Sequence, residues 1–188
     1  MSRKYSLCLA VALASVALDQ ITKYEIREHI RYQVEEIPIF QTGVVSASLV
    51  HAQNKGAAFG VLENQTAFFI GFTILAVGLL LYMLRELPSN DRFQATAIGL
   101  ILSGALGNLI DRLLQGSVTD FIRVYTEQPS LRAWLISHVQ TNEWPSFNVA
   151  DSAIVIGLAL FFIHYLFFEK DSVSARPEPP PEPLDETR

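Results

Sequence analysis

The side chains able to do chemistry in this chain are gathered in five short motifs that interrupt or edge apolar stretches. They are Leu18-Asp19-Gln20, Asn54-Lys55-Gly56-Ala57-Ala58-Phe59-Gly60, Gly107-Asn108-Leu109-Ile110-Asp111-Arg112, Thr119-Asp120-Phe121 and Phe147-Asn148-Val149-Ala150-Asp151. Carboxylates and amides at a membrane edge are costly, so they mark functional sites. Two carboxylates brought close together cannot both ionise easily. One keeps its proton, and the pair then serves as base and acid around a bound water. Asp120 and Asp151 are the natural pair.

Each of these residues also has a purely structural role open to it. Asp19 can pair with Lys23 one helical turn away, Asp111 can end a helix beside Arg112, and Asn148 with Asp151 reads as an N-cap followed by a first-turn acid. Gly56 and Gly60 suit close backbone approach, and suit equally a turn leading into the next span. Taken singly the structural roles are the stronger. Taken together they require one small protein to place many independent caps at the same face.

The elements that position these residues start from runs without charge. Residues 66–84, 93–110 and 152–168 each approach the ~20 apolar residues that cross a bilayer. A first stretch, residues 5–22, follows Ser2-Arg3-Lys4 and resembles the start of a secretory signal. Asp19 and Lys23 sit one turn apart and extend it as a helix with a polar end, so an uncleaved first span is expected. Gly104, Asn108 and Arg112 recur every four residues on the third span and should form one stripe pointing into the bundle.

Composition agrees with an α-helical integral membrane protein. Half of the 188 residues are hydrophobic, the mean hydropathy is +0.28, and the net charge of -5 is small and scattered, which argues against a nucleic-acid partner. Cys8 is the only cysteine, so no intrachain disulfide can form, and buried filler is its expected role.

Arg3 and Lys4 precede the first span, and Arg85 and Arg92 bracket the link between the second and third, so the positive-inside tendency puts these regions and both termini in the cytoplasm. The motifs then collect at the outer face. Residues 24–64 and 111–148 form the outer segments. Within the first, the stretch 40–50 suggests a short extended hairpin. Within the second, Leu131, Trp134, Leu135, His138 and Val139 follow the spacing of an amphipathic helix. That helix either lies in the interface or packs on the outer subdomain, with His138 on its polar face. Residues 171–188, rich in proline and glutamate, should be disordered.

The order and spacing of Asn-x-Gly-x-Ala-Phe-Gly, Gly-Asn-x-x-Asp-Arg and Phe-Asn-x-Ala-Asp resemble the lipoprotein signal peptidases, or type II signal peptidases, over residues 18–157. The resemblance implies four transmembrane helices with a small periplasmic β-cradle, in one membrane protease domain of residues 1–170. It implies a monomer in the bacterial inner membrane, in contact with membrane lipids, with its active site at the periplasmic face.

The implied activity is that of an aspartyl endopeptidase without metal or cofactor. It would cut diacylglyceryl-modified prolipoproteins on the N-terminal side of the lipidated cysteine. Motif matching assigns catalysis to Asp120 and Asp151 and supporting or substrate-binding roles to Asp19, Asn54, Gly56, Gly104, Asn108, Arg112 and Asn148. The segment between the two aspartates is longer than is usual in that family. The alternative is a small ion-coupled transporter subunit, but transporters place carboxylates near the midplane and often carry repeated halves, which this sequence lacks.

Overall fold

The structure, a computed structural model, describes residues 2–56 and 65–169. The Ala57 to Gly60 part of the second motif and the proline-rich tail lie outside the described residues. Among the described residues four helices are long and apolar enough to cross a membrane. They are α1 (Arg3–His29), α2 (Thr66–Glu86), α3 (Arg92–Gln115) and α5 (Val149–His164), the last running on through a π-helical turn, Tyr165–Glu169.

Local chemistry sets the helix ends. Helix α2 stops at Leu87, whose extended backbone is what a residue before proline requires, here Pro88. Asp91 caps α3 by accepting the Gln94 N–H at 2.9 Å, and Gly116 closes it in the left-handed region at φ 74°. All the spans run past the charge-free stretches. Helix α1 continues to His29 and α3 to Gln115, so the outer segments begin later than residues 24 and 111. Asp111 is thus inside α3 and does not end it.

Helix α3 is the centre of the bundle, packing most extensively against α5 and α1 and less against α2. A cluster of Cys8, Leu84, Ala95, Ile98 and Leu102 fills the end away from the motifs, with Cys8 the buried filler expected. At that same end the Lys4 Nζ donates to the carbonyls of Arg85 and Leu87 at 2.7 and 2.5 Å, capping the C-terminus of α2.

Outside the bundle lies one antiparallel sheet in the order β1-β2-β3-β4, built from β1 (Glu36–Gln41), β2 (Ser46–Asn54), β3 (Val118–Tyr125) and β4 (Glu143–Phe147). The hairpin expected within residues 40–50 is the β1–β2 turn, held by Thr42, whose hydroxyl donates to the Val45 carbonyl at 2.6 Å. Both edge strands carry a proline, Pro38 in β1 and Pro145 in β4, and edge strands are where a sheet tolerates a residue without an N–H. Strands β3 and β4 were not anticipated from sequence.

Helix α4 (Pro129–Val139) joins β3 to β4, with Pro129 in its first turn and Gln128 accepting the Leu131 N–H at 2.7 Å. Leu131, Leu135 and Val139 turn towards the sheet across a cavity of about 360 Å³. Trp134 faces outward, 55% exposed, with the His138 ring stacked on it at 4.6 Å. The amphipathic helix is therefore present; Leu131, Leu135 and Val139 line the space between it and the sheet, and none of its residues is buried.

Candidate active site

Asp120 enters the site from β3, one of the two central strands, which follows directly on the end of α3. Opposite it β2 carries an extra residue, because the register slips between Leu49 and Ala52, and Ala52 pairs with Asp120. Such a bulge re-aims the strand next to a site. It brings Asn54 to Asp120, whose Oδ2 accepts the Asn54 Nδ2 at 3.0 Å. The Asn54 Oδ1 is occupied by the Gly56 N–H at 3.0 Å, so the amide presents its nitrogen to the carboxylate.

Asp151 enters from the first turn of α5. Asn148 is the N-cap of that helix and forms a capping box with Asp151: its Oδ1 accepts the Asp151 N–H at 2.9 Å, and the Asp151 Oδ2 accepts the Asn148 N–H at 3.2 Å. The structural device and the site coincide. The Asn148 Nδ2 donates to Asp120 Oδ1 at 2.7 Å, so one fully buried asparagine binds both aspartates. Asn108 of α3 completes the frame by donating from Nδ2 to Asp151 Oδ1 at 2.8 Å.

The electrostatics follow from this packing. Asp120 is only 3% exposed, and burial, followed by the neighbouring Asp151 charge, pushes its pKa up to about 7 against the opposing pull of Asn54, Asn148 and Lys23. Asp151 is reached from outside. It lines a groove of about 350 Å³ with Trp144, Phe147, Ser152, Val155 and Ile156, apolar apart from Asp151 and Ser152. A buried carboxyl that titrates near neutrality, beside a second carboxylate open to a mostly apolar groove, can transfer protons to and from a water and a peptide bond.

The remaining candidates occupy a second layer. Asp19 is buried on α1, and its Oδ1 accepts the Ala150 N–H at 2.9 Å, tying α1 to the start of α5. Gly104 lets α3 and α5 close up, since a Cβ there would lie 2.2 Å from the Ala150 carbonyl oxygen. Gly107 does the same for Asp19, whose Oδ2 would be 2.5 Å from a Cβ. Along the expected stripe on α3, Gly104 and Asn108 face α5, and the Arg112 guanidinium lies over the Phe69 ring of α2 at 4.8 Å, within electrostatic reach of Asp151 and Asp120.

Sequence reasoning missed Lys23, Asp111 and Gln20 as parts of this layer. The Lys23 ammonium is wholly buried between Asp19 at 2.9 Å and Asp111 at 3.2 Å. Gln20 bridges the same two carboxylates at 3.0 and 3.2 Å, and Asp111 accepts the backbone N–H of Thr119 at 2.9 Å. The signal available was Lys23 one helical turn after Asp19, and Asp111 on the third span, since charged groups within spans seek partners.

Residues 11–167 match the model of the family described as signal peptidase (SPase) II. The chain belongs to the signal peptidase II family. It is 38% identical to the lipoprotein signal peptidase of Halalkalibacterium halodurans over 161 residues, covering 85% of this chain and 92% of that relative. It is 39% identical to the one from Geobacter sulfurreducens over 174 residues, covering 90% and 98%. A solved bacterial membrane enzyme structure, 31% identical, superposes with a TM-score of 0.70 over 92% of this chain and 93% of that one. The four-helix membrane fold with its small sheet is thus that of a signal peptidase II, an aspartic peptidase of a bacterial membrane, and the transporter alternative finds no support.

Proposed function

We propose that Asp120 and Asp151 are the catalytic pair of this peptidase, and that its substrate is a diacylglyceryl prolipoprotein cut on the N-terminal side of the lipidated cysteine. The observation that carries the assignment is Asn148, which is bonded to both carboxylates at once. Asp19 with Asp111 and Glu36 with Glu143 also share partners, but each of those pairs is bridged by a cation, Lys23 or Arg123, whereas Asp120 and Asp151 share the neutral Asn148.

The reaction is general acid and base catalysis. The pair shares one proton; the ionised member takes a proton from water as it attacks the scissile carbonyl, and the protonated member gives its proton to the departing amine. The amide groups of Asn54, Asn108 and Asn148 orient the two carboxylates, and Asp19, Gly56, Gly104 and Arg112 hold the frame around them. The pair titrates as a unit, so its apparent pKa values belong to both residues.

The site belongs at the periplasmic face, with both termini in the cytoplasm. Support comes from Arg3, Lys4, Arg85 and Arg92 gathering at the end of the bundle opposite the dyad, where positive-inside sorting retains them. A monomer in contact with membrane lipids suffices, since one chain supplies both aspartates.

Purified protein in detergent, incubated with a diacylglyceryl prolipoprotein, should release its signal peptide and leave the same protein without its lipid uncut. Failure to release it, under conditions in which a lipoprotein signal peptidase from a relative is active, overturns the reading.

A further inference from the structure

Lys23 is the cation at the centre of the layer behind the dyad, and nothing in the mechanism above uses it. It is fully buried on α1, and an ammonium has three donors and no acceptor. All three are placed: Asp19 Oδ2 at 2.9 Å, Asp111 Oδ2 at 3.2 Å and Asn108 Oδ1 at 3.0 Å. The two carboxylates reach in turn to the elements bearing the dyad. Asp19 accepts the Ala150 N–H at the start of α5, and Asp111 accepts the Thr119 N–H beside Asp120 on β3.

The third contact matters most for chemistry. A side-chain amide has nearly the same shape when its oxygen and nitrogen are exchanged, so its direction is set by its partners. The Asn108 Oδ1 receives Lys23 and, at 3.2 Å, the Asn148 Nδ2. A flipped Asn108 would turn its NH2 group towards both of these donors and its carbonyl towards the Asp151 carboxylate, losing every bond it makes. Only the observed direction gives Asp151 Oδ1 a donor.

We propose that Lys23 is a positioning residue for Asp151: it fixes the direction of the Asn108 amide, whose Nδ2 then holds the carboxylate that faces the groove. This deepens the peptidase reading and rests on it. A buried ammonium between two carboxylates would also hold helices together without any bearing on the reaction, and the test must separate the two roles.

Lys23→Met alone leaves two buried carboxylates without their cation, so it is compared with Lys23→Met/Asp111→Asn, in which the new amide oxygen can still accept the Thr119 N–H. If Lys23 positions Asp151, the folded double variant loses roughly 10²-fold in kcat, the scale of a misplaced reacting group, with KM within about 3-fold. Adding Lys23→Met/Asp111→Asn to Asn108→Ala costs little more than Asn108→Ala alone.

A folded double variant with kcat within about 3-fold of wild type overturns the proposal and leaves a structural knot. In the wild-type protein, ¹⁵N-asparagine labelling, with the Asn108 signal identified by its loss in Asn108→Ala, should show side-chain amide protons protected from exchange. Rapid exchange overturns the proposal even if neither Lys23 variant folds. An inactive wild-type enzyme would instead retire the peptidase reading and leave the amide measurement standing.

Discussion

Asn148 and Asp151 hold one another through a closed pair of hydrogen bonds, side-chain oxygen to backbone N–H in one direction at 2.9 Å and backbone N–H to carboxylate in the other at 3.2 Å. The same asparagine uses its remaining nitrogen on Asp120 at 2.7 Å. Capping and catalysis therefore make opposite demands on its substitutes. Asn148→Asp keeps an excellent N-cap but replaces the donor to Asp120 with a third carboxylate. The new oxygen is fully buried against Asp120, the Thr119 carbonyl and the Asn108 oxygen, so the variant should lose stability despite its cap. Its folded fraction should cleave at least ~10²-fold more slowly, the scale of losing one general acid-base contribution. Asn148→Ala loses the cap as well, at about 1 kcal/mol. If Asn148→Asp cleaves at the wild-type rate, the bond to Asp120 has no part in the reaction.

Asp120→Asn and Asp151→Asn should each abolish cleavage while the protein stays folded and membrane-inserted. Either change removes one half of the proton transfer, a loss of ~10²–10⁴-fold. Turnover of a lipidated prolipoprotein, measured alongside the folded fraction, checks this. Near-normal rates in either variant would require a different pair.

Asp120 also predicts a pH dependence of stability. Its carboxyl is raised to about 7 in the folded protein, so between pH 4 and 7 the folded state binds more protons than the unfolded one. Stability contributed by this group is full below the unfolded pKa and is lost as pH rises through the folded one, by up to about 4 kcal/mol. Asp120→Asn removes that dependence. The difference in melting midpoint between variant and wild type should therefore move in favour of the variant from pH 5 to pH 8. A difference that does not change with pH would mean that Asp120 is not held in its protonated form near neutrality.

The parts of this molecule legible in its sequence are those in which composition and burial agree. Residues 66–84 carry no charge and face lipid over most of their surface, so α2 reads directly as a span. The polar motifs read as a site because membrane edges tolerate few such groups. Strand β3 did not read as a strand because Val118, Thr119, Asp120 and Phe121 are buried in succession, on both faces, and show no alternation. Strand β4 is five residues with Pro145 at its centre. Lys23 was hidden for another reason: next to Asp19 it has the spacing of an ordinary surface pair, and only the arrival of Asp111 from α3 makes it a buried charge cluster.

Gly104→Ala should damage the site through the backbone. The new Cβ would fall 2.2 Å from the Ala150 carbonyl oxygen and 2.5 Å from the Ile154 Cγ1, and neither the carbonyl nor the helix bearing it can swing aside as a side-chain tip would. Helix α5 must move away from α3, taking Asp151 with it. The expected cost is about 1–3 kcal/mol, with activity falling further than the folded fraction. Gly78→Ala on α2, where a Cβ meets nothing within 4 Å, is the matching control and should be neutral or slightly stabilising. Equal behaviour of the two variants would mean that α3 and α5 are not in close contact at Gly104.

Helix α4 divides its apolar residues between two surfaces, and the two should respond differently. Leu131 and Leu135 face the cavity that separates the helix from Val124, Tyr125 and Trp144, so Leu135→Ser should loosen the outer sheet and lower the melting midpoint. Trp134 points outward at 55% exposure in a segment bordering the bilayer, a position indole favours when it can sit at the headgroup boundary. With Trp144 replaced by phenylalanine, Trp134 is the only indole in the chain. Lipids brominated near the headgroup should then quench its fluorescence, and Trp134→Ser should raise KM for the lipid-bearing substrate more than it lowers kcat. If the indole escapes quenching and Trp134→Ser leaves KM unchanged, α4 packs on the sheet in water and takes no part in admitting the substrate.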